Sequence, residues 1–432
     1  MNSVLKIKNP YLIFLPFLLF YLVYAASSYS LDFIGDEKRF FRFATHLLQG
    51  YYSPPLPAID LLSGPGYPII LTPFVGLNIP KVYIVMLNAV MHYLSIVFLF
   101  KSLIQLISFR KTFFVSLFWA CYYLAYQNMS RIAYEPFTMF LLTLLIFCLI
   151  KVYKEGFNEK PRLYIFLSGF ILGYIALTKV IFIPITLAML GGCVLLWLVY
   201  RKSVNYRKAI FILLIATGTF SPYLVYTYNL TGRAMYLGTG SDNLYWMSTP
   251  YESEYGDWKG YLTMNPIENG NYNIPGAEDT LLAHHKKDYD EIQSKVGLEK
   301  DDAYKRIATE NIKAHPVKYA KNIFYNVSRI FFHYPFSQAI QRPKTIFVLP
   351  MNSIVFTFML ICLIPTLINW RRIAFPVRFM LFIAAMYLGA SALVSAETRM
   401  LSVIIPVLLI WIAYIIDRSI KINLKFGKEG DT

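Results

Sequence analysis

The residues of this sequence best suited to chemistry form a charged group that begins at Asp36. In the run Gly35-Asp36-Glu37-Lys38-Arg39, two adjacent carboxylates are followed within three residues by an arginine. This group lies only a few residues after the first long apolar run, so it must sit at a membrane face. A carboxylate there could deprotonate an acceptor, and the guanidinium of Arg39 could bind a phosphate through two hydrogen bonds. The pattern indicates chemistry on a lipid-linked substrate.

The same residues also have a purely structural interpretation, which the sequence leaves open. Carboxylates such as Asp36 and Glu37 cap helix N-termini and oppose the helix dipole, typically for about 1 kcal/mol. Arg39 could be an interfacial arginine whose stem covers apolar surface. For Asp36 the two roles are compatible, because a carboxylate fixed at a helix start is also a well-positioned base.

Four further ionisable residues stand at the outer ends of predicted membrane spans: Glu135, Lys179, Glu397 and Arg399. Charges at membrane depth are costly, so each of the four is a candidate for function. Lys179 and Arg399 could add positive charge around a phosphate. Alternatively, all four are loop-end residues in water, or Glu397 and Arg399 merely pair with each other.

Composition and hydropathy predict an all-α polytopic membrane protein. The 432 residues are 56% hydrophobic and 15% charged, with a mean hydropathy of +0.47. Apolar stretches of about 20 residues, enough to cross a core roughly 30 Å thick, predict about ten transmembrane helices. They lie near residues 11–28, 81–100, 112–128, 132–150, 163–178, 181–200, 209–228, 346–369, 377–396 and 400–416. The first is interpreted as a retained anchor, because it has no clear small-residue cleavage site.

The net charge of +16 reflects membrane topology and does not indicate nucleic-acid binding. With both termini in the cytoplasm, basic clusters such as Arg201-Lys202 and Arg371-Arg372 fall inside, as the positive-inside rule requires. The four cysteines all lie in apolar segments, which argues against a thiol metal array or a disulfide framework. Abundant Ile, Lys, Asn and Tyr favour an A/T-rich bacterium. We therefore predict the bacterial inner (plasma) membrane, with a periplasmic active site.

This topology leaves two long segments outside the membrane. Residues 31–80 form the first outer loop, with an amphipathic interfacial helix over 36–49 and a second, interfacial or re-entrant, helix near 69–75. Residues 229–345 have balanced charge and predict a small, partly folded outer domain. The chain thus divides into a transmembrane module (1–228) that includes the first outer loop, the outer segment (229–345), and C-terminal transmembrane helices with a cytoplasmic tail (346–432).

Several motifs, in their order and placement along nearly the whole chain, resemble GT-C glycosyltransferases. The branch is that of protein O-mannosyltransferases and the lipid A aminoarabinose transferase. The first outer loop carries the resemblance in Asp36-Glu37-Lys38-Arg39-Phe40, Leu48-Gln49-Gly50-Tyr51 and Gly64-Pro65-Gly66-Tyr67-Pro68. Weaker signatures are Glu135-Pro136, Leu177-Thr178-Lys179, Asn229 to Arg233, Asn243-Leu244-Tyr245, His315-Pro316 and Glu397-Thr398-Arg399.

The resemblance implies inverting transfer of a sugar from a polyprenyl-phosphate donor at the outer face. Phosphate is a good leaving group, so one general base would suffice, and Asp36 is the candidate. Glu37 would orient Asp36 or the acceptor, although either carboxylate could be the base, since adjacent acids couple their titrations. Arg39, Lys179 and Arg399 would bind the donor phosphate. Substrate-orienting roles are expected for the carboxylates of Glu135 and Glu397 and for Tyr67.

One departure from this branch concerns the second loop motif. Members of the aminoarabinose branch have a lysine before the proline, whereas Gly64 precedes Pro65 here. The full phosphate clamp therefore does not carry over. Lys179 or Arg131 could compensate.

The expected partners are the lipid bilayer, the donor, and a lipid, glycan or protein acceptor. No cofactor is required. The adjacent acids could bind a divalent cation, but they form no DxD motif, and the adjacent His284 and His285 should point to different sides of a helix or strand, so no metal site is predicted. Two rival functions remain: a flippase of a lipid-linked sugar, for which we find no internal repeat, and an inactive scaffold that would tolerate Asp36→Asn.

Overall fold

Helices make up all the regular structure of the described residues, and the spacing of apolar residues explains most of them. The computed structural model describes residues 9–154, 161–201, 203–233, 236, 240–259, 276–337 and 345–419. The predicted cytoplasmic ends, residues 1–8 and 420–432, lie outside this range. The described chain contains no strand, so the prediction of an all-α membrane protein is confirmed.

The helices run in chain order through two halves of the molecule. The first half contains α1 (Pro10–Ile13), α2 (Leu15–Ser28), α3 (Asp36–Leu48), α4 (Gly66–Gly76), α5 (Lys81–Leu103), α6 (Phe109–Ala120), α7 (Tyr123–Tyr126), α8 (Glu135–Lys154), α9 (Pro161–Thr178), α10 (Phe182–Val199) and α11 (Val204–Thr231). The second contains α12 (Gly240–Met247), α13 (Ala277–Gln293), α14 (Gly297–Ala314), α15 (Pro316–Phe332), α16 (Thr345–Ile368), α17 (Phe375–Ala392) and α18 (Arg399–Ser419).

Seven of the described helices are long and apolar enough to cross a membrane: α5, α8, α10, α11, α16, α17 and α18. The other three predicted spans are also helical but shorter. The first is broken at Phe14 into α1 and α2, the third ends at Ala120 and resumes as the short α7, and the apolar part of α9, Arg162–Thr178, is shorter than a full span. The predicted interfacial helices correspond to α3 and α4.

Helix α18 is the central helix of the bundle. It packs against α8, α16 and α17, and more than four-fifths of its apolar stretch is buried. Its first residue, Arg399, therefore lies at one end of the bundle core, on the same side as the start of α8 and the end of α9. This arrangement collects the loop-end charges that the sequence places at the outer face.

A close contact between α9 and α11 fixes the direction of α9. A methyl group added to Gly173 would lie 2.5 Å from Thr219, and one added to Gly169 would lie 2.6 Å from Ile215. Small residues four positions apart let two helix backbones approach in this way. The C-terminal end of α9 is thereby held beneath the first outer loop.

The outer segment has a hydrophobic cluster of its own, formed where α12, α13 and α14 meet. Its buried members include Trp246, Leu281 and Ile307. Helices α14 and α15 are separate, because Pro316 begins a new helix after His315.

Candidate functional site

Asp36 lies between two arginines that come from opposite ends of the chain. Gly35 has φ 59° and ψ −121°, a backbone conformation that glycine adopts far more readily than other residues, and it places Asp36 in the first turn of α3. One carboxylate oxygen of Asp36 accepts a hydrogen bond from Arg39 at 2.9 Å, and the other accepts one from Arg399 at 2.9 Å. The structure therefore brings the predicted base and two predicted phosphate ligands into direct contact.

The two guanidinium groups set the protonation state of Asp36. Burial would raise the pKa of this carboxyl, but the charges of Arg39 and Arg399 outweigh burial and hold its pKa below the usual range. Asp36 is thus an anion at neutral pH, as a base must be. While both oxygens are bound to guanidinium groups, however, its basicity is reduced.

Glu37 is a fully engaged buried carboxylate, although it neighbours Asp36 in sequence. Its side chain is 2% exposed and accepts hydrogen bonds from the backbone N–H groups of Ile34 and Ile132, both at 2.7 Å, and from Lys81 at 2.8 Å. These contacts join the start of α3, the start of α5 and the segment before α8. They favour the orienting role over the role of base.

Arg399 also approaches the two other predicted carboxylates. Its guanidinium lies 3.7 Å from Glu135 and 3.4 Å from Glu397. Glu135 is nearly buried, whereas the side chain of Glu397 is more than half exposed. The predicted pairing of Glu397 with Arg399 is therefore present together with the contact between Arg399 and Asp36.

The loop that leads to Arg399 is held by buried polar residues of α15. Asn326 donates hydrogen bonds to the carbonyl oxygens of Ser391 and Ala392 and accepts one from the N–H of Ala396 at 3.1 Å. The backbone carbonyl of Arg329 accepts a hydrogen bond from Thr398 at 3.1 Å. The outer segment thereby fixes the start of α18. No motif marked Asn326 or Arg329 in the sequence.

Lys179 follows α9 and completes the cationic side of the site. Its ammonium group lies 5.2 Å from the ring centres of both Tyr134 and Tyr387, a position typical of cation–π contacts. Burial lowers the pKa of Lys179 to about 8, opposed by the charge of Glu135 and assisted by that of Arg399. The amine of Lys179 therefore loses its proton more readily than an ordinary lysine does.

The packing of two glycines in the first outer loop explains why position 64 holds glycine and not the lysine of the aminoarabinose branch. A methyl group added to Gly64 would lie 1.9 Å from the carbonyl oxygen of Leu177, and one added to Gly66 would lie 2.4 Å from Thr178. A lysine cannot occupy position 64, because the loop backbone rests directly on the end of α9. The loop thus contacts Leu177 and Thr178, the two residues that precede Lys179.

The two proposed substitutes for the missing lysine fall in different places. Lys179 lies beside Tyr134 and Tyr387, whereas Arg131 lines a cavity on the side of Glu37 and Lys81. Tyr67 is 1% exposed and packs edge-on against Phe40, with ring centres 5.3 Å apart. In this conformation Tyr67 supports α3 from beneath.

Three buried polar atoms among these charges make no hydrogen bond with any described residue. They are the Nε atoms of Arg39 and Arg399 and the Oε1 atom of Glu135, of which the last two take part only in the longer ion pairs given above. Buried polar groups nearly always have hydrogen-bond partners, so two such donors and one such acceptor in one site indicate room for a polar ligand. A ligand with anionic oxygens and hydroxyl groups would satisfy them.

Sequence reasoning missed three residues of this site. Lys81 is a buried ion-pair partner, and its position at the outer end of α5 was the available signal. Tyr134 precedes Glu135 and contacts Lys179. Asp242, in α12, lies close enough to Arg39 to be stabilised by its charge; burial nevertheless raises the pKa of Asp242 to about 6. Asp242 brings the outer segment to the site.

The chain matches no protein-family model and no curated protein sequence. Its fold is similar to that of the archaeal oligosaccharyltransferase AglB from Archaeoglobus fulgidus in complex with an inhibitory peptide and a dolichol-phosphate. The TM-score is 0.49 at 11% identity, over 93% of this chain and 50% of AglB. It is also similar to ArnT from Cupriavidus metallidurans bound to undecaprenyl phosphate, with a TM-score of 0.39 at 11% identity, over 94% of this chain and 77% of ArnT.

The chain spans about half the length of AglB. At these identities the likeness concerns the fold alone.

Proposed function

We propose that this multi-pass membrane protein is an inverting glycosyltransferase with Asp36 as its general base. It moves a sugar from a polyprenyl-phosphate donor to an acceptor at the outer face of the membrane. The observation that carries the proposal is the contact of Asp36 with Arg39 and Arg399, beside Lys179 and three buried polar atoms that lack a hydrogen bond. Base, phosphate ligands and vacant hydrogen-bonding positions all meet at one end of the bundle.

Binding of the donor prepares the base in this mechanism. The donor phosphate is an anion that competes with the carboxylate of Asp36 for the guanidinium groups of Arg39 and Arg399. Once the phosphate takes over these hydrogen bonds, Asp36 loses the contacts that lower its pKa and becomes a stronger base. The acceptor can then be activated only when the donor is present, which limits wasteful hydrolysis.

The transfer step conserves atoms and charge. Asp36 takes the proton from the nucleophilic group of the acceptor, which attacks the anomeric carbon as the bond between that carbon and the phosphate oxygen breaks. The polyprenyl phosphate leaves with the bonding electrons. The charges of Arg39, Arg399 and Lys179 stabilise the leaving phosphate, as preorganised cations do in phosphoryl chemistry. Attack opposite the leaving group inverts the anomeric configuration.

The remaining predicted site residues take supporting roles. Glu37 holds α3 so that Asp36 faces the arginines, and Tyr67 supports the same helix through Phe40. Glu135 and Glu397 orient Arg399, and the Oε1 atom of Glu135, which makes no hydrogen bond, can accept one from a sugar hydroxyl. The acceptor, whether lipid, glycan or protein, enters from the outer segment.

The proposal is tested by sugar transfer in proteoliposomes. Purified protein is supplied with a panel of radiolabelled polyprenyl-phosphate sugars and envelope acceptors, and new glycoconjugates are measured. Movement of the donor across the bilayer is recorded in the same vesicles. We expect transfer by the wild type, loss of transfer in Asp36→Asn, and an inverted anomeric configuration in the product.

A matched variant separates the base from general charge effects. Asp32→Asn makes the same chemical change at an exposed acid of the same loop, so it should keep wild-type transfer. Donor that crosses the bilayer without any transfer would contradict the enzyme and indicate a flippase. Full turnover by Asp36→Asn would refute the assignment of the base.

A further inference from the structure

A second polar cluster lies in the outer segment and shares no residue with the Asp36 site. Glu254 is 1% exposed and is contacted by two adjacent histidines of α13. Its Oε1 lies 2.7 Å from Nδ1 of His284, and its Oε2 lies 2.8 Å from Nε2 of His285. The three potential ligand atoms all lie within 4.8 Å of one another.

Adjacent histidines of one helix can share a partner even though they point apart. His284 and His285 do leave the helix in different directions, but Glu254 lies between them and both rings turn towards it. The glutamate lies 30 and 31 residues from the histidines along the chain. No spacing rule for metal ligands within one motif could therefore have identified the group.

Hydrogen bonds behind His285 match those found behind metal-bound histidines. Its other ring nitrogen, Nδ1, lies 2.8 Å from the hydroxyl of Tyr245, which lies 3.3 Å from a carboxylate oxygen of Asp288. When Nε2 binds a cation, Nδ1–H can donate to Tyr245, whose hydroxyl can donate to Asp288. Such a chain to a carboxylate sets the tautomer of a ligating histidine and raises its basicity.

The other two ligands are also held in place. The ring of His284 stacks on Tyr251 with centres 3.7 Å apart and planes 6° from parallel. Glu254 accepts a hydrogen bond from Thr249 at 2.6 Å, and its backbone carbonyl accepts one from Lys318 at 2.7 Å.

We propose that Glu254, His284 and His285 form a structural site for a divalent transition metal, with Zn²⁺ as the expected ion. Two imidazoles and one carboxylate are a ligand set that zinc accepts, with bond lengths of about 2.0–2.2 Å. Ligand atoms around a tetrahedral zinc ion are separated by roughly 3.3 Å at those bond lengths. The two nitrogen–oxygen contacts would lengthen by about 0.5 Å, and separations of up to 4.8 Å among the three ligand atoms would shorten by at most about 1.5 Å. His284 is 23% exposed, so water can supply the fourth ligand on that side.

The metal would join two parts of the outer segment. Glu254 belongs to the loop after α12, and this loop is attached to α15 through Lys318 and through Asn322, which donates to the carbonyl oxygens of Met247 and Thr249. The histidines belong to α13. A bound ion would therefore connect α13 to α15, the helix that positions the loop before Arg399.

The test measures zinc bound to the full-length protein. The protein is purified in detergent without a polyhistidine tag, dialysed against buffered Zn²⁺, and analysed for metal content and for its thermal midpoint. We expect one equivalent of zinc and a midpoint that rises with free Zn²⁺. His284→Ala changes the most exposed of the three ligands and should lower zinc affinity at least a hundredfold while the protein stays folded.

Two further variants make the result specific. His315→Ala removes an exposed histidine elsewhere in the outer segment and should bind zinc as the wild type does. Tyr245→Phe keeps all three ligands but interrupts the chain to Asp288, so it should lower affinity by about 10–100-fold. Zinc content that is negligible in the wild type, or unchanged in His284→Ala, would overturn the proposal and leave the cluster as a hydrogen-bonded group.

Discussion

Replacing Asp36 with asparagine should change donor binding and turnover in opposite directions. In the free protein, the Asp36 carboxylate occupies Arg39 and Arg399 through hydrogen bonds of 2.9 Å each. A donor phosphate must displace it. Asparagine is neutral and nearly the same size, so it competes less for the guanidinium groups. The variant should therefore bind polyprenyl phosphate more tightly while transferring sugar far more slowly.

The size of both effects follows from the contacts. A hydrogen bond between charged groups contributes about 1.5–3 kcal/mol when buried. The Asp36 side chain is 34% exposed, so solvent screening reduces this to about 1 kcal/mol for each bond. The amide oxygen of asparagine retains part of one interaction, which leaves about 1.5 kcal/mol, or roughly tenfold in affinity. Loss of a general base typically slows the chemical step by about a hundredfold to ten-thousandfold.

Two assays on one preparation measure these quantities. Binding of radiolabelled polyprenyl phosphate to protein in nanodiscs gives the affinity, and single-turnover transfer with saturating donor gives the rate. Asp32→Asn is the control in both. The reasoning is refuted if Asp36→Asn binds polyprenyl phosphate less tightly than the wild type, because Asp36 would then not compete with the phosphate.

Three further predictions concern the supports of the site. The pKa of Lys179 is about 8 in the free protein, and a bound phosphate raises this pKa. Donor affinity should therefore be full below pH 8 and fall as pH rises above 8. Binding titrations of Lys179→Arg should show no such pH dependence. Lys81→Met leaves a buried carboxylate without its cation and should cost about 3–5 kcal/mol, seen as a lower thermal midpoint. Lys111→Met, in a more exposed pair, should cost at most about 1 kcal/mol. Gly64→Ala should lower the free energy of unfolding by about 1–3 kcal/mol or more and reduce the rate of sugar transfer, because the added methyl group meets backbone. Gly191→Ala, with open space around it, should change neither.

Each of these has a clear contrary result. A donor affinity that is unchanged between pH 7 and pH 10 would remove Lys179 from the phosphate site. Equal midpoints for Lys81→Met and Lys111→Met would show that the Glu37 ion pair does not support the loop. Wild-type transfer by Gly64→Ala would mean that the first outer loop does not depend on its close approach to α9.

The helical elements could be predicted from the sequence because their signals are local. A run of about 20 apolar residues is costly to leave in water and long enough to span a membrane, wherever the rest of the chain lies. The interfacial helix α3 follows from the spacing of Phe40, Phe43, Ala44 and Leu47, and its first turn brings Asp36 and Arg39 together because residues three apart share a helix face. The exact lengths of three spans were less predictable, since breaks at Phe14 and Ala120 depend on packing.

Only the tertiary structure could divide the neighbouring acids into different roles. Asp36 and Glu37 are adjacent and chemically alike, yet a turn of about 100° between consecutive helical residues points them in different directions. Asp36 meets an arginine 363 positions away, whereas Glu37 is enclosed by Lys81 and two backbone N–H groups. The reason Gly64 replaces a lysine was equally hidden, because the carbonyl group that excludes a side chain belongs to α9.

The sequence by itself determined that the chain is a helical membrane protein with charges collected at one face. Hydrophobic transfer and helix geometry act over one or two turns and can be read from neighbouring residues. The tertiary structure decided which of those charges meet: Asp36 with Arg399, Glu37 with Lys81, and Glu254 with His284 and His285. Electrostatic contacts of this kind depend on distances between separate helices, and those distances are set by packing throughout the whole bundle.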